Sequence, residues 1–244
     1  MMMIDIGTVR SLYRYPVKSM RGESLRTACL RWQGIDGDRQ YAFYRAANTS
    51  RFPWLTGREV SEIVTYAARY LDPANPRHSR VRVTGPDGSE RDIGAANLCD
   101  ELSRVAGEAV HLLQVGRGTF DAMPISVMST ATGDRLEQCC GRGVDLRRFR
   151  PNIVLDLASG DTNEVDWLDG TLVFGESEVP PRLRLNAGIE RCAMITLDPE
   201  SAAKDVSIMR RVVEDFDNVV GVYCAVEAIG SIAIGDRVRL IRHA

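Results

Sequence analysis

Along most of this chain, short stretches of alternating apolar and polar residues recur, each closed by glycine, proline or aspartate. Alternation is the period of a half-buried β-strand, because successive side chains point to opposite faces. Residues 7–15 alternate and end at Pro16. Residues 24–30 alternate again before the turn Gly34-Ile35-Asp36-Gly37-Asp38. Residues 41–44 and 80–84 are further strands, the latter closed by Gly85-Pro86-Asp87-Gly88. More strands are expected near residues 110–115, 153–157, 171–174, 193–197 and 222–227. Residues 237–241 alternate cleanly after a strand and tight turn over 232–236. Short strands at this spacing predict a barrel or sandwich rather than a series of βαβ units. Helices are sparse. Residues 96–106 put Leu98, Leu102, Val105 and Ala106 on one face, with Gly107 as a stop. Residues 131–139 and, more briefly, 208–216 complete the set. The expected fold class is mainly β with peripheral helices. A polar turn near residues 88–95 divides the chain into 1–92 and 93–244.

Composition narrows the partners. The formal net charge is −2, so there is no global pull toward nucleic acid or an anionic membrane. Any anion site must be assembled locally from arginine and lysine. No apolar run reaches the length of a membrane-spanning helix. Met1-Met2-Met3-Ile4-Asp5 lacks the basic and apolar regions of a secretion signal, and a cytoplasmic location is the expectation. Six cysteines show no Cys-x-x-Cys spacing and read as reduced thiols, mostly buried. Three histidines at 78, 111 and 243 form no cluster, which argues against an ordinary zinc site. The signatures of nucleotide-binding loops, metalloproteases and serine hydrolases are absent.

Two segments point to chemistry. Arg147-Arg148-Phe149-Arg150-Pro151-Asn152 runs into an apolar strand, and Arg191-Cys192 opens a second strand 42 positions on (192 − 150). Clustered guanidiniums suit a phosphate or another oxyanion, although a charge run also describes a solvated face. With Phe149 turned inward on an extended chain, Arg148, Arg150 and Asn152 share the opposite face. Most free cysteines are small buried hydrophobes, and Cys29, Cys99 and Cys224 fit that pattern. Cys192 differs, because Arg191 precedes it and Asp198-Pro199 ends its strand. Such a setting favours a thiolate able to bond a soft metal or a sulfur atom. Tyr15-Pro16-Val17-Lys18-Ser19 is either a turn with a solvated lysine or an ammonium and hydroxyl presented to an oxyanion. Arg39 carries the same ambiguity within Asp36-Gly37-Asp38-Arg39. Leu55-Thr56-Gly57-Arg58-Glu59 adds a hydroxyl and a guanidinium.

Taken in order, these pieces resemble the MOSC family, named for the C-terminal domain of molybdenum cofactor sulfurase. The resemblance is to its two-part reductases of the amidoxime-reducing type. It rests on Tyr15-Pro16-Val17-Lys18-Ser19, Gly37-Asp38-Arg39, Leu55-Thr56-Gly57-Arg58, Phe149-Arg150-Pro151-Asn152-Ile153, Glu190-Arg191-Cys192 and Asp198-Pro199. Gly230-Ser231-Ile232-Ala233-Ile234-Gly235-Asp236 completes the series. The resemblance implies an N-terminal β-barrel-like part and a C-terminal MOSC β-barrel, with the molybdenum cofactor (molybdopterin) between them. Cys192 inherits the role of metal ligand and catalytic centre. Lys18, Ser19, Arg39, Arg150 and Asn152 inherit contacts to the pterin and its phosphate, with Thr56, Arg58 and Arg191 as further candidates. The implied reaction is reduction of a small N-oxygenated substrate, with electrons from a separate donor protein and with neither nucleic acid nor membrane as partner. Two rivals are a sulfur carrier using a Cys192 persulfide and a non-catalytic cofactor carrier. Retention of the N-terminal lysine, serine and arginine motifs favours the reductase. The chain departs from the family at Glu200-Ser201-Ala202, where Thr-Gly is usual, at Val60-Ser61, where a proline is missing, and at Met20.

Overall fold

The alternating N-terminal stretch forms one 13-residue strand, β1 (Met2–Arg14), with Val9 and Leu12 in the core. A computed structural model of the chain describes residues 2–158 and 163–243. Six further strands close a barrel with β1. They are β2 (Ile125–Ser129), β3 (Ile153–Leu157), β4 (Thr171–Phe174), β5 (Arg182–Glu190), β6 (Val219–Ala228) and β7 (Arg237–Arg242). The order around the barrel is β3-β2-β6-β5-β4-β7-β1, and β1 returns to pair with β3. Closure leaves no exposed sheet edge in this layer. To reach both neighbours β1 bends at two irregularities, between Asp5 and Gly7 and between Val9 and Ser11. Gly7 is required there: its φ is +143°, and a Cβ would lie 2.0 Å from the Asp156 carbonyl oxygen.

Inward-facing Ile125, Val127, Leu155, Trp167, Phe174, Leu185, Val222 and Leu240 fill the barrel. A second core gathers Phe43, Leu55, Ile63 and Tyr66 under helix α1 (Ala96–Ala106), which contributes Leu98 and Leu102. Gly107 stops α1 in the left-handed region at φ 71°. A third core lies between helices α2 (Thr130–Cys140) and α3 (Val206–Phe216), where Leu136, Ile208 and Val212 meet Phe149 and Ile195. The N-terminal region serves both halves. Besides β1 in the barrel, the short strand Thr27–Arg31 pairs with Gly230–Ala233 near the other end of the chain.

Four local expectations change. The segment 193–197 is not a strand but the 3-10 turn Ala193–Thr196, in which the Ile195 N–H donates to the Cys192 carbonyl at 3.2 Å. Cys192 therefore follows a strand, β5, rather than opening one. Strand β5 was not among the expected strands, and its pairing with β6 is broken by register shifts between Leu185 and Ala187 and between Gly188 and Glu190. The arginine run is likewise not extended. Leu146–Phe149 is a 3-10 turn capped by Asp145, whose carboxylate accepts the Arg147 N–H at 2.8 Å. One βαβ unit does occur: β2 and β3 are parallel and joined through α2. All five residues of β2 are buried, so it shows no alternation to read. Among the described residues, no helix is long and apolar enough to cross a membrane.

Candidate functional site

A cleft of about 470 Å³ opens where the turn after β1, the end of β5 and the loops of the second core converge. Eight of the nine expected site residues line it: Lys18, Ser19, Arg39, Thr56, Arg58, Arg150, Arg191 and Cys192. Asn152 does not line it. It is 1% exposed, and its amide is used within the chain. Its oxygen accepts from the Ser126 N–H at 3.1 Å and from Arg39 at 3.3 Å, and its nitrogen donates to Asp38 at 3.1 Å. Asn152 is thus a strut under Arg39, not a surface of the cleft.

Backbone geometry marks the same place. Seven non-glycine residues among those described have positive φ, and Ser19 (66°), Arg39 (50°) and Arg150 (53°) all line the cleft. Such conformations cost free energy and persist where the surroundings over-determine them, a condition common at functional sites. Arg150 turns its guanidinium inward, donating to the Met20 carbonyl at 2.7 Å. By this route, and not by strand alternation, Arg148 and Arg150 reach one cleft. Arg148 is held by the Thr196 carbonyl at 3.0 Å and by Asp198 at 2.9 Å.

The cations are held largely by aromatic rings. Arg39 and Arg150 lie 4.9 and 4.2 Å from the centre of the Tyr15 ring. Arg191 lies 5.2 Å from that of Phe149. Lys18 and Arg58 lie 5.1 and 5.0 Å from that of Phe52. A ring face attracts and orients a cation without cancelling its charge. Carboxylates are scarcer: Asp38 pairs with Arg39, and Asp121 pairs with Lys18 at 2.6 Å. Arg191 has only neutral partners, donating to the carbonyls of Val220 at 2.7 Å and Phe149 at 2.9 Å.

The charges show this shortage of counter-ions. Burial lowers the Arg150 pKa to about 10, and the neighbouring Arg39 charge adds to the effect. Burial likewise lowers Arg191 to about 10. Lys18 is lowered by burial, against the opposing pull of Asp121. Arg39 loses by burial but gains more from Asp38 and its other partners, and its pKa is raised. Lys18, Arg150 and Arg191 are thus held below their ordinary pKa, a setting that an added negative charge would relieve.

Cys192 is the exposed one of the six free cysteines. Cys224, buried in the barrel, has its thiol pushed up by desolvation, as do Cys99, Cys139 and Cys140. Among the described residues, no three His, Cys, Asp or Glu side chains gather to hold a metal ion. Phe52, Asp121, Met194 and Tyr223 are among the other residues that line it. Sequence reasoning missed them, because each comes from a loop or strand face whose direction only the folded chain sets. Tyr15 and Asp38 sat inside the quoted motifs without a role.

Comparison with known proteins follows the same outline. The MOSC domain family model matches residues 110–239, and the MOSC N-terminal beta barrel domain matches residues 6–114. The chain is 24% identical to mitochondrial amidoxime reducing component 2 of Bos taurus, over 96% of this chain and 83% of that protein. It is also 24% identical to the Homo sapiens protein of the same name, with the same coverage. Among solved structures, the YUAD protein from Bacillus subtilis superposes with a TM-score of 0.53 at 13% identity, covering 100% of this chain and 98% of that one. That likeness speaks for the fold alone. With both family models matched in sequence order across nearly its whole length, the chain belongs to the MOSC domain family.

Proposed function

We propose that this protein is a molybdenum-cofactor-dependent oxidoreductase that reduces N-hydroxylated or related N-oxygenated compounds, with Cys192 as the metal ligand. The observation that carries the reading is a single exposed thiol set in a cleft of under-neutralised cations. The donor set suits the cofactor. A buried nitrogen of Arg150, Nη2, has no hydrogen-bond partner, and an unsatisfied buried donor is costly unless a ligand completes it.

The residues divide by chemistry. The Cys192 thiolate would bond the metal, a soft partner for soft coordination. Arg39, Arg150 and Lys18 would hold the phosphate, and Arg58, Arg191, Thr56 and Ser19 would orient the rest of the anionic group. Asn152 would act indirectly, by fixing Arg39. When bound, the cofactor supplies the two-electron reduction of an N–O bond. The chain would orient it, offset its charge and leave the exposed side of the cleft around Cys192 accessible to a small substrate. A separate donor protein would deliver the electrons.

The test is reduction of a hydroxylamine- or amidoxime-type substrate by protein from a cofactor-producing host, driven by an artificial electron donor. Wild type should turn over, and Cys192→Ala should lose activity while keeping its circular dichroism and melting temperature. Full activity in Cys192→Ala would remove the metal-ligand role.

A further inference from the structure

Phe52 lies in the loop that follows the strand Tyr41–Arg45, and no motif in the sequence marks it. The bridge between Tyr44 and Trp54 returns the loop to that strand. Within the loop, the Phe52 N–H donates to the Ser50 hydroxyl at 3.2 Å. The ring reaches the lip of the cleft and carries two of its cations, Lys18 at 5.1 Å and Arg58 at 5.0 Å.

The two cations depend on the ring unequally. Lys18 also donates to Asp121 and to the Thr119 carbonyl, both at 2.6 Å. Arg58 has one long bond, from Nε to the Thr56 hydroxyl at 3.4 Å, and no carboxylate partner among the described residues. An exposed arginine without such a restraint spreads over many rotamers and loses that freedom when it binds.

We propose that Phe52 is a positioning residue for the anion-binding cleft. Its ring face pre-orients Arg58, and secondarily Lys18, toward a phosphate- or diphosphate-bearing ligand while leaving their charges uncancelled. The role deepens the cofactor reading and rests on it. A carboxylate at this position would also fix the two cations but would neutralise them. An aliphatic residue would do neither.

Calorimetric titration of inorganic pyrophosphate into full-length protein from a host unable to make the cofactor tests the role. Phe52→Leu should weaken binding about five-fold, the scale of an exposed cation–π contact, with the melting temperature unchanged. Phe52→Tyr, which keeps the ring, should restore it. In an Arg58→Met background, Phe52→Leu should cost much less, because the main cation it serves is gone. Wild-type affinity that falls with Arg150→Ala but is indifferent to Phe52→Leu would overturn the role of Phe52 and leave the cleft reading standing. Absence of pyrophosphate binding by the wild type would overturn both.

Discussion

Arg150 combines three properties rarely found together on one side chain. Its backbone is left-handed at φ 53°, one of its buried nitrogens is unpartnered, and its pKa is lowered by burial to about 10. The first fixes the direction of the side chain and the other two leave it short of an anion. The depressed groups predict a pH response with a definite sign. On the proposed reading the protonated forms of Lys18, Arg150 and Arg191 would bind the anion, and raising the pH removes those protons. Pyrophosphate affinity should therefore fall as pH approaches 10, where an ordinary arginine would still be fully charged. Lys18→Met, which removes one of the depressed groups, should make the fall shallower. An affinity flat to pH 10 would contradict the burial-driven shifts. At this scale much was legible. Arg191-Cys192 stood out by residue type and neighbour, whereas Lys18-Ser19 read equally as a turn with a solvated lysine and drew its expected role from the family resemblance. Asn152 was placed on the wrong surface, because its motif position says nothing of the Asp38 and Ser126 groups that use its amide. Phe52 was invisible, since a loop aromatic acquires meaning only from the cations folded over it.

Boundaries survived in both kinds of element: strands β3 and β4 keep their expected spans, as does one helix. Helix α1 matches its expected span, because its apolar face and Gly107 stop are local signals. Strand β5 and the turn after Cys192 were exchanged, because bulges and 3-10 turns depend on partners distant in sequence. The loop after that turn shows how such a detail bears on stability. Asp198 accepts the N–H groups of Glu200 and Ser201, both at 3.0 Å, and the following Ala202 is held at φ 58°. This is where the chain departs from the family's usual Thr-Gly. A left-handed alanine costs about 1 kcal/mol that glycine avoids, partly offset by the greater freedom of glycine in the unfolded chain. Ala202→Gly should therefore raise stability by roughly 0.5 kcal/mol in denaturant unfolding. A clear loss of stability would mean that the loop, and not residue 202, relieves the strain.

In the whole molecule, the N-terminal strand closes the C-terminal barrel, and the cleft forms where the two family regions meet. Lys18, Arg39 and Arg58 come from the first region, and Arg150, Arg191 and Cys192 from the second. A net charge of −2 conceals this concentration of cations, so composition excluded a broad electrostatic partner without revealing the local one. Strand spacing left a barrel or a sandwich open and the family resemblance chose the barrel; the parallel β2–β3 pair was legible from neither, because fully buried strands lack alternation. The central claim is that this cleft holds a molybdenum cofactor through Cys192. The most direct measurement is the molybdenum-to-protein ratio of wild type and Cys192→Ala, both purified from a host that makes the cofactor. The account predicts near-stoichiometric metal in the wild type and a marked loss in the variant. Equal ratios in the two proteins, or no molybdenum in either, would contradict it.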